Sequence, residues 1–304
     1  METMMISRIG KTTAIIVIAL TFFSYFSAQA EESLGAGSKS SLWRIKSQKN
    51  TIYLQGSLHL LKSDNYPLNA SIEKAFEDSQ ILVLEADPRK MRDPETQQMM
   101  LTKGMLAQGD SLKDQLSKET YGRAKQKTTE LGIDISAFNQ LKPWMFSMII
   151  TIIELQKLGF NPQHGLDMYF FSKALKAGKQ IMGLETIEYQ LDLFDSLSAA
   201  EQDALVRQTL KDLDIIQEKT DSLVEAWSIG DIKRVEAILL KSFREYPTIY
   251  GLLITSPNKN WVSRIESFLK QTDNYMIVVG VGHLAGENGL VQLLKRKGYS
   301  VEHL

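Results

Sequence analysis

Apolar residues recur along this chain with two periods, near two and near 3.6, and the order in which the periods change predicts an α/β protein. Leu42-Trp43-Arg44-Ile45-Lys46 and Thr51-Ile52-Tyr53-Leu54 are short strand-like runs around a turn at Lys49-Asn50, which together read as a hairpin. Pro67 marks a helix start, and Ile72, Ala75 and Phe76 keep helical spacing up to a buried strand, Ile81-Leu82-Val83-Leu84. The strongly apolar stretch Trp144 to Leu158 follows Pro143, and Leu166 to Ala177 follows Gly165; both read as helices, with a second buried strand at Gln180 to Leu184. From Ala199 to Leu240 the chain is acidic and amphipathic, with Val206, Leu210 and Leu213 on one apolar face, so helices and no strand are expected. The end alternates again: helix Trp261 to Leu269, strand Tyr275 to Val279, helix Leu290 to Lys297, strand Tyr299 to His303. This order predicts an α/β fold with a central mixed or mostly parallel sheet flanked by helices. One domain is expected from residue 42 to 304, with a helix-rich segment at about 188–250 packed on the sheet.

The first 30 residues change the picture of where the protein works. Arg8 and Lys11 precede an apolar run from Ala14 to Phe26, and Ala28 and Ala30 stand where signal peptidase needs small residues. The run is shorter than the roughly 20 residues that span a bilayer, which favours a cleavable signal over an anchor. Residues 1–30 are therefore expected to leave before Glu31, and 31–41, rich in Gly and Ser, to be a loose N-terminal segment. The expected location is the periplasm or the extracellular medium, with no stable membrane insertion afterwards. Cleavage leaves a net charge of −2 without a basic cluster, so nucleic acid is not an expected partner. There is no Cys, which excludes disulfides, Cys-ligated zinc, a thiol nucleophile and a lipid anchor at a lipobox.

Four polar features stand at the ends of expected strands. Gly56-Ser57-Leu58-His59 closes the hairpin, Glu85-Ala86-Asp87 follows the first buried strand, Glu185 follows Gly183-Leu184, and Gly280-Val281-Gly282-His283 follows the last long strand. Ligands of open α/β sheets collect outside the carboxyl ends of the strands, so these residues converge if the strands share one sheet. Imidazole with carboxylate suits a divalent ion such as Zn, Mn, Co or Fe, and open coordination positions would leave room for a water whose pKa the ion lowers. Gly56, Gly280 and Gly282 allow tight turns and close backbone approach. Plainer readings stand beside these: a His–carboxylate cluster is also a common structural network, Glu85 or Asp87 reads as a helix cap, and so does Glu185. His164, before Gly165 and beside Asp167, reads as a surface turn, and His303 as structural. No Gly-x-Ser-x-Gly elbow, phosphate-binding Gly loop or His-Glu-x-x-His helix is present.

Taken in order, these residues resemble the TraB/GumN family. The resemblance rests on Gly-x-x-His at His59, Leu84 to Asp87, Lys142-Pro143-Trp144, Gly183-Leu184-Glu185-Thr186 with Gln190, and Ala226-Trp227-x-x-Gly230-Asp231. The stretch Val279 to Gly286, continuing to Gly298-Tyr299, carries it most specifically, and the whole spans about Trp43 to the C-terminus. The family includes exported bacterial proteins, plasmid-associated proteins and the animal Tiki proteins, regarded as metal-dependent proteases; its fold looks remotely like erythromycin esterase and the haem-binding ChaN-like proteins. The resemblance implies His59, His283 and Glu85 as the metal-binding and catalytic residues; on the enzyme reading Glu85 is ligand or general base, and Asp87 is a further catalytic-site carboxylate that supports it. One departure is evident: where the family usually has an Arg before Lys259-Asn260-Trp261, this chain has Pro257, followed by Asn258. Two functions are thus expected as alternatives. One is an exported metal-dependent hydrolase acting on a peptide or small molecule through a metal-activated water. The other is an envelope binding protein for a metal, haem or peptide without turnover.

Overall fold

The computed structural model describes residues 39–240 and 246–304; the expected signal and residues 31–38 of the loose segment lie outside them. The apolar alternation builds a six-stranded mixed sheet from β1 (Leu42–Lys46), β2 (Thr51–Ser57), β3 (Ile81–Leu84), β4 (Gln180–Gly183), β5 (Tyr275–Gly280) and β6 (Val301–His303), in the order β4-β3-β5-β2-β1-β6. β1 and β2 are the expected antiparallel hairpin, and β6 pairs antiparallel to β1 at the edge. β2, β5, β3 and β4 run parallel, with Ser57 opposite Gly280 and Leu84 opposite both Val278 and Gly183. All four parallel strands therefore finish at one edge.

Alternation within the strands divides the core into two apolar layers. Tyr53, Leu82, Leu84, Met276 and Val278 face one layer, with helices α1 (Ala70–Asp78) and α5 (Leu166–Lys176). Ile52, Leu54, Ile81, Val83, Ile277 and Val279 face the other, with α10 (Ser256–Phe268) and α11 (Leu290–Arg296). Helices on both faces explain why β3 and β5 read as unbroken apolar runs and not as half-polar strands. Full burial of each such side chain stabilises the fold by about 1.5–3 kcal/mol. No helix among the described residues is long and apolar enough to cross a membrane.

The described chain divides into two compact units. Residues 39–87, 161–186 and 217–304 contain the whole sheet. Residues 88–160 and 187–216 form a helical unit made of α2 (Pro94–Gly104), α3 (Lys118–Glu130), α4 (Pro143–Lys157), α6 (Ile187–Asp195) and α7 (Ala199–Leu213). Its core joins Ala124, Phe138, Phe146 and Ile150 to Val206 and Leu210. The Lys142-Pro143-Trp144 motif belongs here and is architectural: Pro143 opens α4, Lys142 pairs with Asp195, and Trp144 stacks on Phe194.

The acidic stretch from Ala199 to Leu240 is helical, and no strand occurs in it, but its helices are shared between the units. α7 belongs to the helical unit, while Ala226 and Trp227 of α8 (Ile216–Ser228) and Val235 of α9 (Ile232–Leu239) join the core of the sheet unit. Trp227 Nε1 donates to the Gly56 carbonyl at 2.7 Å, steadying the end of β2. Gly230 takes a left-handed φ of 67°, where an added methyl would meet the Ser40 carbonyl at 2.6 Å, and Asp231 caps α9. That motif is thus a turn and a cap.

α10 starts at Ser256, five residues before the expected Trp261. Pro257 does not open a helix: the short helix Pro247–Tyr250 and a π-helical turn, Gly251–Thr255, run into α10 without a break, and Thr255 is itself helical (φ −70°, ψ −44°).

Candidate active site at the carboxyl edge of the sheet

Each parallel strand delivers one polar residue to the shared edge. His59 follows β2, Glu85 follows β3, Glu185 follows β4, and His283 follows β5 in a short 3-10 turn, Val281–Leu284. The backbone stays paired past the last strand residues: the Leu184 and Glu185 amides donate to the carbonyls of Leu84 and Glu85, both at 2.8 Å. Gly183 permits this approach, because a methyl there would lie 3.0 Å from the Asp87 amide nitrogen.

Glu85 is the meeting point. Its Oε1 accepts the Gly280 amide at 2.7 Å and lies 3.8 Å from His59 Nε2 and 3.9 Å from His283 Nε2. Gly280 lines the space between these groups: a methyl on it would come within 3.1 Å of His59 Nε2 and 3.2 Å of Glu85 Oε1. Its φ of −49° is ordinary, so the glycine is needed there for room and not for backbone freedom. At Gly282 a methyl would make only ordinary contacts, 3.7 Å from Leu239. Gly56 is required by packing, with a methyl 2.8 Å from Val281. Gly280→Ala is therefore expected to fold but to crowd the three polar groups, lowering divalent-cation binding about tenfold or more, with Gly282→Ala close to wild type. Cobalt titration of both purified variants checks this, and equal affinities would remove Gly280 from the site.

His283 is firmly held. Asn258, fully buried on the first turn of α10, donates its amide to the carbonyls of His283 (3.1 Å) and Asn288 (2.8 Å). Those two bonds fix the amide orientation, so Asn258 Oδ1 faces His283 Nδ1 at 2.8 Å and must accept from it. Nδ1 carries the proton, and the lone pair of Nε2 is turned toward Glu85. Burial lowers the pKa of His283, assisted by His59 and opposed by Glu85, which keeps the ring neutral as a ligand must be. Trp261 packs its ring against His283 with centroids 4.5 Å apart and donates Nε1–H to Glu185 Oε2 at 2.8 Å. Glu185 thus reaches His283 through an indole.

His59 sits in a more negative environment. Its Nδ1 lies 3.3 Å from Asp167 Oδ1. Burial favours the neutral ring, but Asp167 and then Glu85 outweigh it and raise the pKa to about 9. Solvent reaches 51% of the side chain, which softens all of these influences. The same carboxylates would attract a divalent cation, which would have to displace the proton from this ring.

Residue by residue, the structure brings His59, Glu85 and His283 around one oxygen, with Gly280 between them. Glu185 is one residue removed, and Asp87 lies two residues beyond Glu85 on the same partly buried loop. His164 lies in a 3-10 turn whose carbonyl accepts the Tyr66 hydroxyl, and His303 stacks on Trp43 with Nε2 on the Ser40 carbonyl. Asp167 and Asn258 were not assigned to the site from sequence; each comes from the first turn of a helix remote in the chain.

The donor chemistry suits a divalent ion: two imidazoles with Nε2 inward, one carboxylate, and open space between them. The spacing is wider than in an occupied site. Ligands at 2.0–2.1 Å from one tetrahedral ion stand about 3.3 Å apart, so the contacts of 3.8 and 3.9 Å are about half an ångström open. Accordingly, among the described residues no three His, Cys, Asp or Glu stand at the spacing of a bound ion. Of the two imidazoles, His59 is the half-exposed one and His283 the buried one.

Comparison with known proteins places the chain in a family. The chain is 24% identical to the uncharacterized protein YbaP of Escherichia coli K12, over 80% of this chain and 87% of YbaP. It is 24% identical to a metalloprotease TIKI homolog of Amphimedon queenslandica, over 90% of this chain and 63% of that protein, and 23% identical to human metalloprotease TIKI1, over 86% and 61%. It therefore spans less than two thirds of these two Tiki proteins. No solved structure matches significantly. The model of the TraB/PrgY/gumN family matches residues 41–303, and the chain belongs to that family.

Proposed function

We propose that this protein is an exported, metal-dependent hydrolase of peptide bonds, with His59, His283 and Glu85 as its metal-binding groups. The observation that carries the reading is the approach of two Nε2 atoms and one carboxylate around the space that Gly280 leaves open. The Tiki relatives, named metalloproteases, point to the same class of reaction. A divalent ion bound there would polarise a scissile carbonyl and lower the pKa of a water. The chain's own groups supply the rest. His283 is neutral with its Nε2 lone pair inward, as a ligand must be, and Glu85 is the carboxylate placed to take a proton and return it to a leaving amine. Gly280 N–H holds Oε1 of Glu85 in place, and Asp87 is kept as a supporting carboxylate of the same loop. Hydrolysis of a fluorogenic peptide library, with Zn²⁺, Mn²⁺ or Co²⁺ added, tests the proposal; a metal-loaded protein that cleaves no member contradicts it.

The second reading, a binding protein without turnover, has one observation in its favour. Pro257, where the family usually carries an Arg, is buried in the first turn of α10, so no guanidinium is available there to stabilise developing negative charge. Bound metal without hydrolysis would select it.

Export is part of the proposal, supported by the charge, apolar run and small residues of positions 1–30. Protein recovered from the periplasm is expected to begin Glu31-Glu32-Ser33 on N-terminal sequencing. An intact N-terminus confined to the membrane fraction would argue for an anchor.

A further inference from the structure

The two histidines at the sheet edge are held in different ways. His283 is 14% exposed, with Trp261 against its ring and Asn258 on its Nδ1. His59 is 51% exposed, so packing does not fix its ring. What faces its Nδ1 is Asp167, from the first turn of α5, and the fold takes unusual measures to bring that turn close. Gly165, just before the helix, lies so near the His59 backbone that an added methyl would stand 2.2 Å from the His59 carbonyl oxygen. The Leu166 amide donates to the Leu58 carbonyl at 3.1 Å, and the Tyr66 hydroxyl donates to the His164 carbonyl at 2.6 Å. The start of α5 is thus tied to both sides of the His59 loop. The carboxylate is oriented as well: Ser57, the last residue of β2, donates its hydroxyl to Asp167 Oδ1 at 3.1 Å.

Resting on the reading of His59, Glu85 and His283 as one ion-binding centre, we infer that Asp167 is the positioning residue of His59. An ionised carboxylate can only accept, so Nδ1 of the facing ring carries its proton and Nε2 is left to point at Glu85. Such a carboxylate also makes the imidazole a more basic ligand. An acidic residue in the first turn of a helix is explained in part by the helix dipole. The dipole does not explain why this one shares Oδ1 between Ser57 and an imidazole, or why the helix start must be a glycine pressed on the His59 backbone. The two histidines are then unequal ligands: His59 is backed by a charged carboxylate, and His283 by a neutral amide.

Crystal structures of the metal-free protein and Co²⁺ titrations, on wild type, Asp167→Ala and Asp167→Asn, test this. In Asp167→Ala the His59 ring is expected to turn from Glu85, and Co²⁺ affinity to fall about 10- to 100-fold, with a changed visible cobalt spectrum. Asp167→Asn keeps an acceptor oxygen without the charge, so it should hold the ring and lose less affinity; it also serves if the alanine variant does not fold. Metal-free melting temperatures should differ by only a few degrees. An Asp167→Ala protein with the ring unmoved and Co²⁺ affinity unchanged overturns the inference. If wild type takes up no Co²⁺, the metal-centre reading falls by itself, and the ring orientation in the metal-free crystals still decides whether Asp167 positions His59.

Discussion

Glu85→Gln should abolish peptide hydrolysis while leaving the fold in place, whether or not metal is retained. Gln is nearly isosteric, and its side-chain oxygen can still accept the Gly280 amide that Oε1 accepts now. The change removes the negative charge and the capacity to take a proton. Loss of a positioned general base or acid costs about 10²–10⁴ in rate, so kcat should drop by about that factor. If Glu85 is also a ligand, metal affinity falls as well. Measuring metal content beside kcat separates the two roles: an inactive variant with full metal identifies a base, and an inactive, metal-poor variant identifies a ligand. Activity within tenfold of wild type would remove Glu85 from the chemistry.

The second large effect concerns the histidines. His59→Ala and His283→Ala should each strip most of the metal, and the double variant should lose little more. Ligands of one ion act as a unit, so their losses are strongly non-additive. The two single changes should differ in stability. Removing His283 leaves Asn258 Oδ1 buried without its donor, at a cost of about 1–3 kcal/mol. Removing the half-exposed His59 should cost less. His303→Ala is the control for metal content, although not for stability, because its ring stacks on Trp43 at 4.7 Å and its Nε2 meets the Ser40 carbonyl. Two independent, additive losses would mean two separate sites.

Much of this edge was legible in the sequence because strands carry their signal locally. Ile81 to Leu84 and Tyr275 to Val279 are apolar on both faces, and each is followed directly by the residue it presents, Glu85 after one and Gly280 to His283 after the other. What supports those residues was not legible. Asp167 reads as an acidic residue in a helix's first turn, and its contact with His59 depends on the packing of α5 against a loop 108 positions earlier in the chain. The nearest sequence signal was Gly165, two residues before it, whose lack of a side chain is required by the His59 carbonyl. Asn258 was hidden by an error of register. With a helix expected only from Trp261, Asn258 lay outside it, beside a missing Arg; in the structure it belongs to α10, is buried, and dictates the tautomer of His283. Where the chain passes from one unit to the other was not legible either, since the acidic amphipathic pattern runs on from α7 to α8 without marking the boundary.

Metal analysis of the untagged wild-type protein bears most directly on the central claim, that His59, Glu85 and His283 form one ion-binding centre. Plasma mass spectrometry of protein purified without chelators, or dialysed against Mn²⁺, Co²⁺ or Zn²⁺ and then desalted, should find about one divalent ion per chain. The ion should be removable by chelation and restorable on adding it back. Protein that is folded, as judged by its melting transition, yet retains no divalent ion under any of these conditions would contradict the account.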